Sequence, residues 1–227
     1  MEQRELVRRL SRDPWFGSIP AAHRELLLGQ LRQRQTHDGE RIYSVGGPPD
    51  GLFVVIDGEV RLVSYPREGK QVLLLVLTPP SWFGEVSVLD EGPRPNEAIS
   101  VGAALIGHVA QADFEKLARK APGLYRDVGV LSCRHQRISL RWMGLMVSQS
   151  PPMRLAMLLL RAPRATPRGQ PTLHMSQEDL AGMIGISRQS LNKTLKRLQA
   201  QRMIELQYGR IIVTDEEKLG ALIKRQR

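Results

Sequence analysis

Four polar side chains within six residues, Arg188, Gln189, Asn192 and Lys193, have the chemistry to read base edges. An arginine fork offers paired donors to guanine, an amide matches the donor and acceptor of adenine, and an ammonium donates to guanine without a fork. Such groups discriminate only when one rigid element holds them on one face. The stretch MSQEDLAGMIGISRQSLNKTLKRL, Met175 to Leu198, supplies that element. Ser176 is a good N-cap, and Asp179 three residues on makes a capping box. Leu180, Ala181 and Ile184 form the apolar face of a first helix, Gly185 breaks it, and Ser187 caps a second. Leu191, Leu195 and Leu198 recur at helical spacing, so that face turns inward and the four polar residues turn outward. This is the layout of a helix-turn-helix whose second helix enters a DNA major groove. A plain helical hairpin would share the apolar spacing, but it would leave the polar row without a purpose.

The flanking elements fit the same reading. After the second helix, Met203, Ile204 and Leu206 make a short strand, Tyr208-Gly209 a turn, and Ile211 to Val213 a second strand. A hairpin placed there is a wing, with Arg210 at its turn as a candidate phosphate contact. Upstream, Pro151-Pro152 remove donors and push the preceding residue out of helical conformation. Residues 153–161 then resume as an apolar helix, followed by a Pro/Gly/Arg-rich loop from Pro163 to Pro171. A hinge is expected at 148–152, with a winged helix-turn-helix domain at 153–227.

Charge points to a polyanionic partner. The net charge is +10, and from Ser148 to Arg227 there are 14 Lys+Arg against 6 Asp+Glu, whereas Met1 to Val147 hold 19 against 17. The basic surplus therefore sits where the helix-turn-helix lies. No run approaches the ~20 apolar residues of a membrane span. The opening MEQRELVRRL has no apolar export core, so a cytoplasmic location and no membrane partner are expected. Cys133 stands alone, which excludes intramolecular disulfides and four-cysteine metal sites. The five histidines are scattered without metal-ligand spacing, so no metal or haem is expected. Glu178-Asp179 reads as a helix start, and there is neither a nucleophile motif nor a GxxxxGK loop. An enzyme is not expected.

Residues 36–110 are β-rich, with segments Ile42–Val45, Leu52–Ile56, Val60–Val63, Val72–Leu77 and Leu105–Val109, and no helical period until Asp113. Asp57-Gly58 and Glu68-Gly69 read as hairpin turns. The architecture expected is α+β: a small β-roll with flanking helices over 1–121, a long helix over 122–147, then the hinge and the winged domain. The segment DGERIYSVGGPPDGLFVVIDGEVRLV, with Gly39, Gly46 and Gly58, resembles the start of a cyclic-nucleotide-binding β-roll, and FGEVSVLDEG looks like its phosphate loop. With the long helix and the helix-turn-helix in order, residues 20–214 resemble the cyclic-AMP receptor protein / fumarate-nitrate regulator superfamily of bacterial transcription regulators.

That resemblance carries expectations for an effector. Family members hold a ribose with a Gly-Glu pair, matched by Gly84-Glu85, while backbone amides around it, Val86 among them here, meet the cyclic phosphate. An Arg-Ser follows ten and eleven residues after the Glu in the family; here those positions are Pro95 and Asn96, and Arg94 lies one residue early. The family's Thr-Ser pair for adenine falls on Ser139 and Leu140, and leucine cannot make the hydrogen bond. Cyclic AMP is accordingly disfavoured. Arg134, Arg137 and Arg141 share one helix face, which suits a bulkier anion such as cyclic di-GMP or is simply a solvated basic face. A regulator without an effector fits as well. Iron–sulfur sensing as in fumarate-nitrate regulators needs N-terminal cysteines that this chain lacks.

The long helix has two stripes. Leu124, Val128, Leu131, His135, Ile138, Trp142 and Leu145 follow a coiled-coil period, whereas the resemblance puts the partner-facing seam at Tyr125, Gly129, Ser132, Gln136, Ser139, Met143 and Met146. Both are expected to be buried, one on the partner and one on the chain's own roll. His135 is expected to be a satisfied packing residue rather than a ligand. A homodimer follows, reading a two-fold symmetric operator with half-sites about one DNA turn apart. By resemblance, Arg188, Gln189 and Lys193 take the base-reading positions, and Ser176, Ser187, Ser190 and Lys196 are candidate phosphate contacts. The 163–171 loop corresponds to one that touches RNA polymerase in activators. The rival reading is a regulatory cyclic-nucleotide or cyclic-dinucleotide module whose main role is not DNA binding.

Overall fold

The computed structural model describes residues 3–67, 70–162 and 169–224, and the chain divides into two units, Met1–Ile138 and Ser139–Arg227. In the first, helices α1 (Gln3–Leu10) and α2 (Ala21–Gln30) precede strands β1 (Arg32–Thr36), β2 (Arg41–Tyr43), β3 (Gly51–Arg67), β4 (Lys70–Leu77) and β5 (Ser81–Phe83). A short helix α3 (Glu85–Asp90), strand β6 (Glu97–Ala110) and helix α4 (Gln111–Lys120) follow. Helix α5 (Gly123–Ser148) begins in this unit and ends in the next. The sheet runs β1-β6-β3-β4, with β2 also on β6 and β5 on β3, and every pairing is antiparallel.

Alternation along β3 builds two cores from one strand. Leu52, Val54 and Ile56 turn to one side, where they join Leu10, Trp15, Phe16, Leu27, Trp82 and Phe114. Phe53 and Val55 turn to the other, with Tyr43, Val60, Leu77, Phe83 and Ile106 inside the roll. The first half of α5 closes the helical side by burying Leu124, Val128 and Leu131. Two further bonds hold the N-terminal segment to α5: Trp15 Nε1 donates to the Asp127 carbonyl at 2.6 Å, and His23 Nδ1 meets the Asp127 carboxylate at 2.5 Å.

Asp57-Gly58 is not a hairpin turn. β3 passes straight through it, and its register against β6 shifts on both sides of Asp57, the mark of a bulge. Gly58 is needed for another reason: at φ +84° a Cβ there would lie 2.7 Å from Ala103 O and Ala104. The glycine serves a close approach of two strands. Expecting no helix before Asp113 also missed α3, a six-residue helix inside the phosphate-loop segment, too short to show a period. The second turn expected, Glu68-Gly69, lies outside the described residues.

In the second unit, α6 (Pro151–Leu160), β7 (Thr172–His174), α7 (Gln177–Ile184), α8 (Arg188–Ala200), β8 (Ile204–Gln207), β9 (Arg210–Val213) and α9 (Glu216–Lys224) surround a core of Leu155, Leu159, Leu180, Ile184, Leu191, Leu195, Leu219 and neighbours. Pro151 and Pro152 occupy the first turn of α6, where missing N–H groups cost nothing. The wing strands β8 and β9 pair as the sequence implies, and β7 adds a third strand on β9. Of the loop at 163–171, residues 163–168 lie outside the described residues. No described helix is long and apolar enough to cross a membrane.

Candidate nucleic-acid interface and roll pocket

Both helices of the motif start on serine caps. Ser176 Oγ accepts from Asp179 N at 3.1 Å and donates to the Asp179 carboxylate at 2.8 Å; Ser187 Oγ accepts from Ser190 N at 3.2 Å. Gly185 ends α7 in the left-handed region, φ +73°, and lets Ile186 N reach back to Ala181 O. The turn so fixed aims α8. Leu191, Leu195 and Leu198 are buried, and Arg188, Gln189, Lys193 and Lys196 are exposed along the opposite side. Asn192 is the exception to the outward row: it is half-buried, and its amide donates to Gln177 Oε1 at 2.8 Å, tying α8 to the start of α7. Ser176, Ser187 and Ser190 are exposed at the helix starts; the hydroxyls of Ser176 and Ser187 serve as caps, and Ser190 Oγ accepts from Ser187 Oγ at 2.9 Å. At the wing, Tyr208 is fully exposed, and Arg210 Nε donates to Gln207 Oε1 at 2.5 Å, which holds the arginine beside the turn.

Inside the roll, Arg94 decides the chemistry. It is 1% exposed, with its guanidinium 4.4 Å from the Tyr43 ring centre and 5.5 Å from that of Phe53. Nε donates to the Asp50 carboxylate at 3.0 Å, Nη2 to the same carboxylate and to Gly51 O, and Nη1 to Gly84 O at 2.7 Å. Four of the five N–H groups of Arg94 are therefore taken by the chain itself. Gly84, Glu85 and Arg94 do come together. Asn96 lies beside them through Tyr43, whose hydroxyl donates to Asn96 Oδ1 at 3.2 Å, and burial pushes that phenol well above its ordinary pKa. Val86 points outward at 41% exposure, leaving only its backbone for the pocket. Ser139 is exposed on α5 and belongs to the second unit.

Glu85 has a partner that sequence reasoning did not supply. Its buried carboxylate meets His135 Nδ1 of α5 at 2.9 Å. This hydrogen bond satisfies His135 on its otherwise apolar stripe, and it becomes an ion pair when the imidazole is protonated. Burial opposes the imidazolium, but the Glu85 hydrogen bond and the charges of Glu85 and Asp13 outweigh it and raise the pKa. Asp13 is itself raised by burial. Asp50 and His135 left no sequence signal because each partner lies more than 40 positions away.

The two stripes of α5 differ in burial. Leu124, Val128 and Leu131 are buried in the chain's own core, whereas Tyr125 is 44% and Met143 60% exposed, and Leu140 and Val147 are exposed as well. Ile138, assigned to the first stripe, is exposed too, so that stripe is covered only in its first half.

Comparison with known proteins agrees with this geometry. Residues 33–121 match the family described as the cyclic nucleotide-binding domain, and residues 153–222 match the Crp-like helix-turn-helix domain. A CRP-like cAMP-activated global transcriptional regulator of Mycobacterium tuberculosis is 26% identical over 216 residues, covering 93% of this chain and 96% of the relative. The cyclic AMP receptor protein of Thermus thermophilus is 27% identical over 203 residues, covering 89% and 93%. Among solved structures, the c-di-GMP responsive global regulator CLP of Xanthomonas campestris superposes with a TM-score of 0.71 at 18% identity, covering 86% of this chain and 99% of that one.

Proposed function

Because the chain belongs to the cyclic-AMP receptor protein / fumarate-nitrate regulator superfamily of transcription regulators, we propose that it acts as a homodimer whose two α8 helices read a two-fold symmetric DNA operator. The observation that carries this is the exposed row Arg188, Gln189 and Lys193 over the buried leucines of a capped helix. Arg188 pairs with guanine, Gln189 with adenine, and Lys193 donates to guanine. Ser176, Ser187, Ser190, Lys196 and the wing's Arg210 meet phosphates and fix the register. A nucleotide-binding module without DNA binding would leave this row unused.

The dimer forms through α5. Tyr125, Leu140, Met143 and Val147 expose apolar surface on a helix whose opposite stripe is buried only in its first half, and a partner helix covers such a surface. Two α8 helices then lie about 34 Å apart, one DNA turn.

The roll's residues do not fit cyclic AMP. Asp50 already supplies the anion that Arg94 would take from a phosphate, and Pro95 has no amide to donate. A dinucleotide such as cyclic di-GMP has a better site in Arg134, Arg137 and Arg141, which make no ion pair among the described residues. The regulator acts in the cytoplasm, and the sequence from Pro163 to Pro171 is the candidate contact with RNA polymerase.

Selection of duplexes from a random library tests the reading. It should enrich an inverted repeat with half-site centres about 10 base pairs apart. Enrichment of asymmetric sequences, or of none, would refute the homodimeric operator reading.

A further inference from the structure

Pro151 and Pro152 remove the backbone donors that would carry α5 onward, so the last carbonyls of α5 are left without helical partners. The same deficit arises at the end of α7. One side chain answers both. Arg154, on the first turns of α6, donates through Nη2 to Met146 O of α5 at 2.5 Å and through Nε to Gln149 O in the joint at 2.9 Å. Its remaining nitrogen, Nη1, donates to Ile184 O, the last residue of α7, at 2.8 Å. A guanidinium is suited to this place: its donors diverge in a plane, and its charge complements two helix C-termini. The turn glycine of the helix-turn-helix lies against the same pair, for a Cβ on Gly185 would sit 3.1 Å from Met146 Cε and 3.4 Å from Arg154 Nη1. Arg154 thus ties the joint after α5 to the ends of both helices.

We propose that Arg154 is the positioning residue that fixes the helix-turn-helix against the end of α5, so that this one side chain sets the spacing of the two recognition helices in the dimer. The inference rests on the dimeric DNA-binding reading above. Arg154 touches no base or phosphate in that reading. It acts through α7, and its loss changes how two half-sites are read together, not how each is read.

The test uses full-length protein, the inverted-repeat duplex selected by the unaltered chain, and three further duplexes: an isolated half-site and repeats one base pair longer or shorter. Arg154→Gln should weaken the full site about tenfold or more, the effect of losing charge-assisted hydrogen bonds. Half-site affinity and base preference should stay within about twofold, and the penalty for altered spacing should shrink. Arg154→Lys, which keeps the charge without the fork, should fall between the two, and it carries the test if the glutamine variant does not fold. Equal losses on half-site and full site would mean a merely structural residue and overturn the proposal. An unchanged spacing penalty would overturn it too. If the unaltered chain selects no repeat, the DNA-binding reading fails first and the proposal with it.

Discussion

At the residue scale the account turns on a few side chains with separate duties. Arg188 stands exposed in the first turn of α8 with no ion pair among the described residues, so its fork is free for a guanine. Arg188→Ala should cost about 1–3 kcal/mol at one base pair per half-site and relax preference there alone, as read by competition among single-base operator variants. A uniform loss at every position would reassign Arg188 to the phosphates. The His135–Glu85 pair gives a second prediction. Its imidazole titrates above the usual histidine value in the folded chain. A raised value means that the pair contributes fully below about pH 6 and that its contribution fades as pH climbs through the folded value. Thermal melts should therefore show His135→Gln most destabilised below the ordinary imidazole value, about pH 6, and progressively closer to the unaltered chain as pH climbs through the raised folded value. A deficit that does not change with pH would mean that charge plays no part. The caps Ser176 and Ser187 and the breaker Gly185 were legible because their partners lie within a turn. Asp50 with Arg94, and Glu85 with His135, were not, because strand register and the docking of α5 bring them together.

At the scale of elements, helix starts and stops were readable and strand continuity was not. Asp57-Gly58 has the composition of a turn, yet β3 runs through it, since a glycine that admits a neighbouring backbone looks in sequence like one that reverses the chain. The long helix shows what periodicity can and cannot decide. Both stripes of α5 satisfy a heptad, and only burial separates them: Leu124, Val128 and Leu131 belong to the chain's own core, and the side of Tyr125 and Met143 is open. If that open side is the seam, Met143→Glu places two carboxylates face to face in the dimer. Juxtaposed like charges cost several kcal/mol, so the dimer dissociation constant should rise at least about a hundredfold in sedimentation equilibrium. An unchanged constant would move the seam elsewhere.

At the scale of the whole molecule, charge and architecture converge on one partner. The +8 surplus of residues 148–227 surrounds a helix built to enter a groove, while the roll keeps its own arginine occupied. If Lys196 and Arg210 each meet a phosphate, as proposed, a dimer makes four such contacts, each releasing condensed counterions on binding. The measurement that bears most directly on the account is fluorescence anisotropy of the unaltered chain on its selected inverted repeat and on a scrambled duplex, across a salt series. The account predicts that log K falls linearly with log salt at a slope of about −4 or steeper, with the repeat preferred by about a thousandfold or more. A slope near zero, or equal affinity for both duplexes, would contradict it.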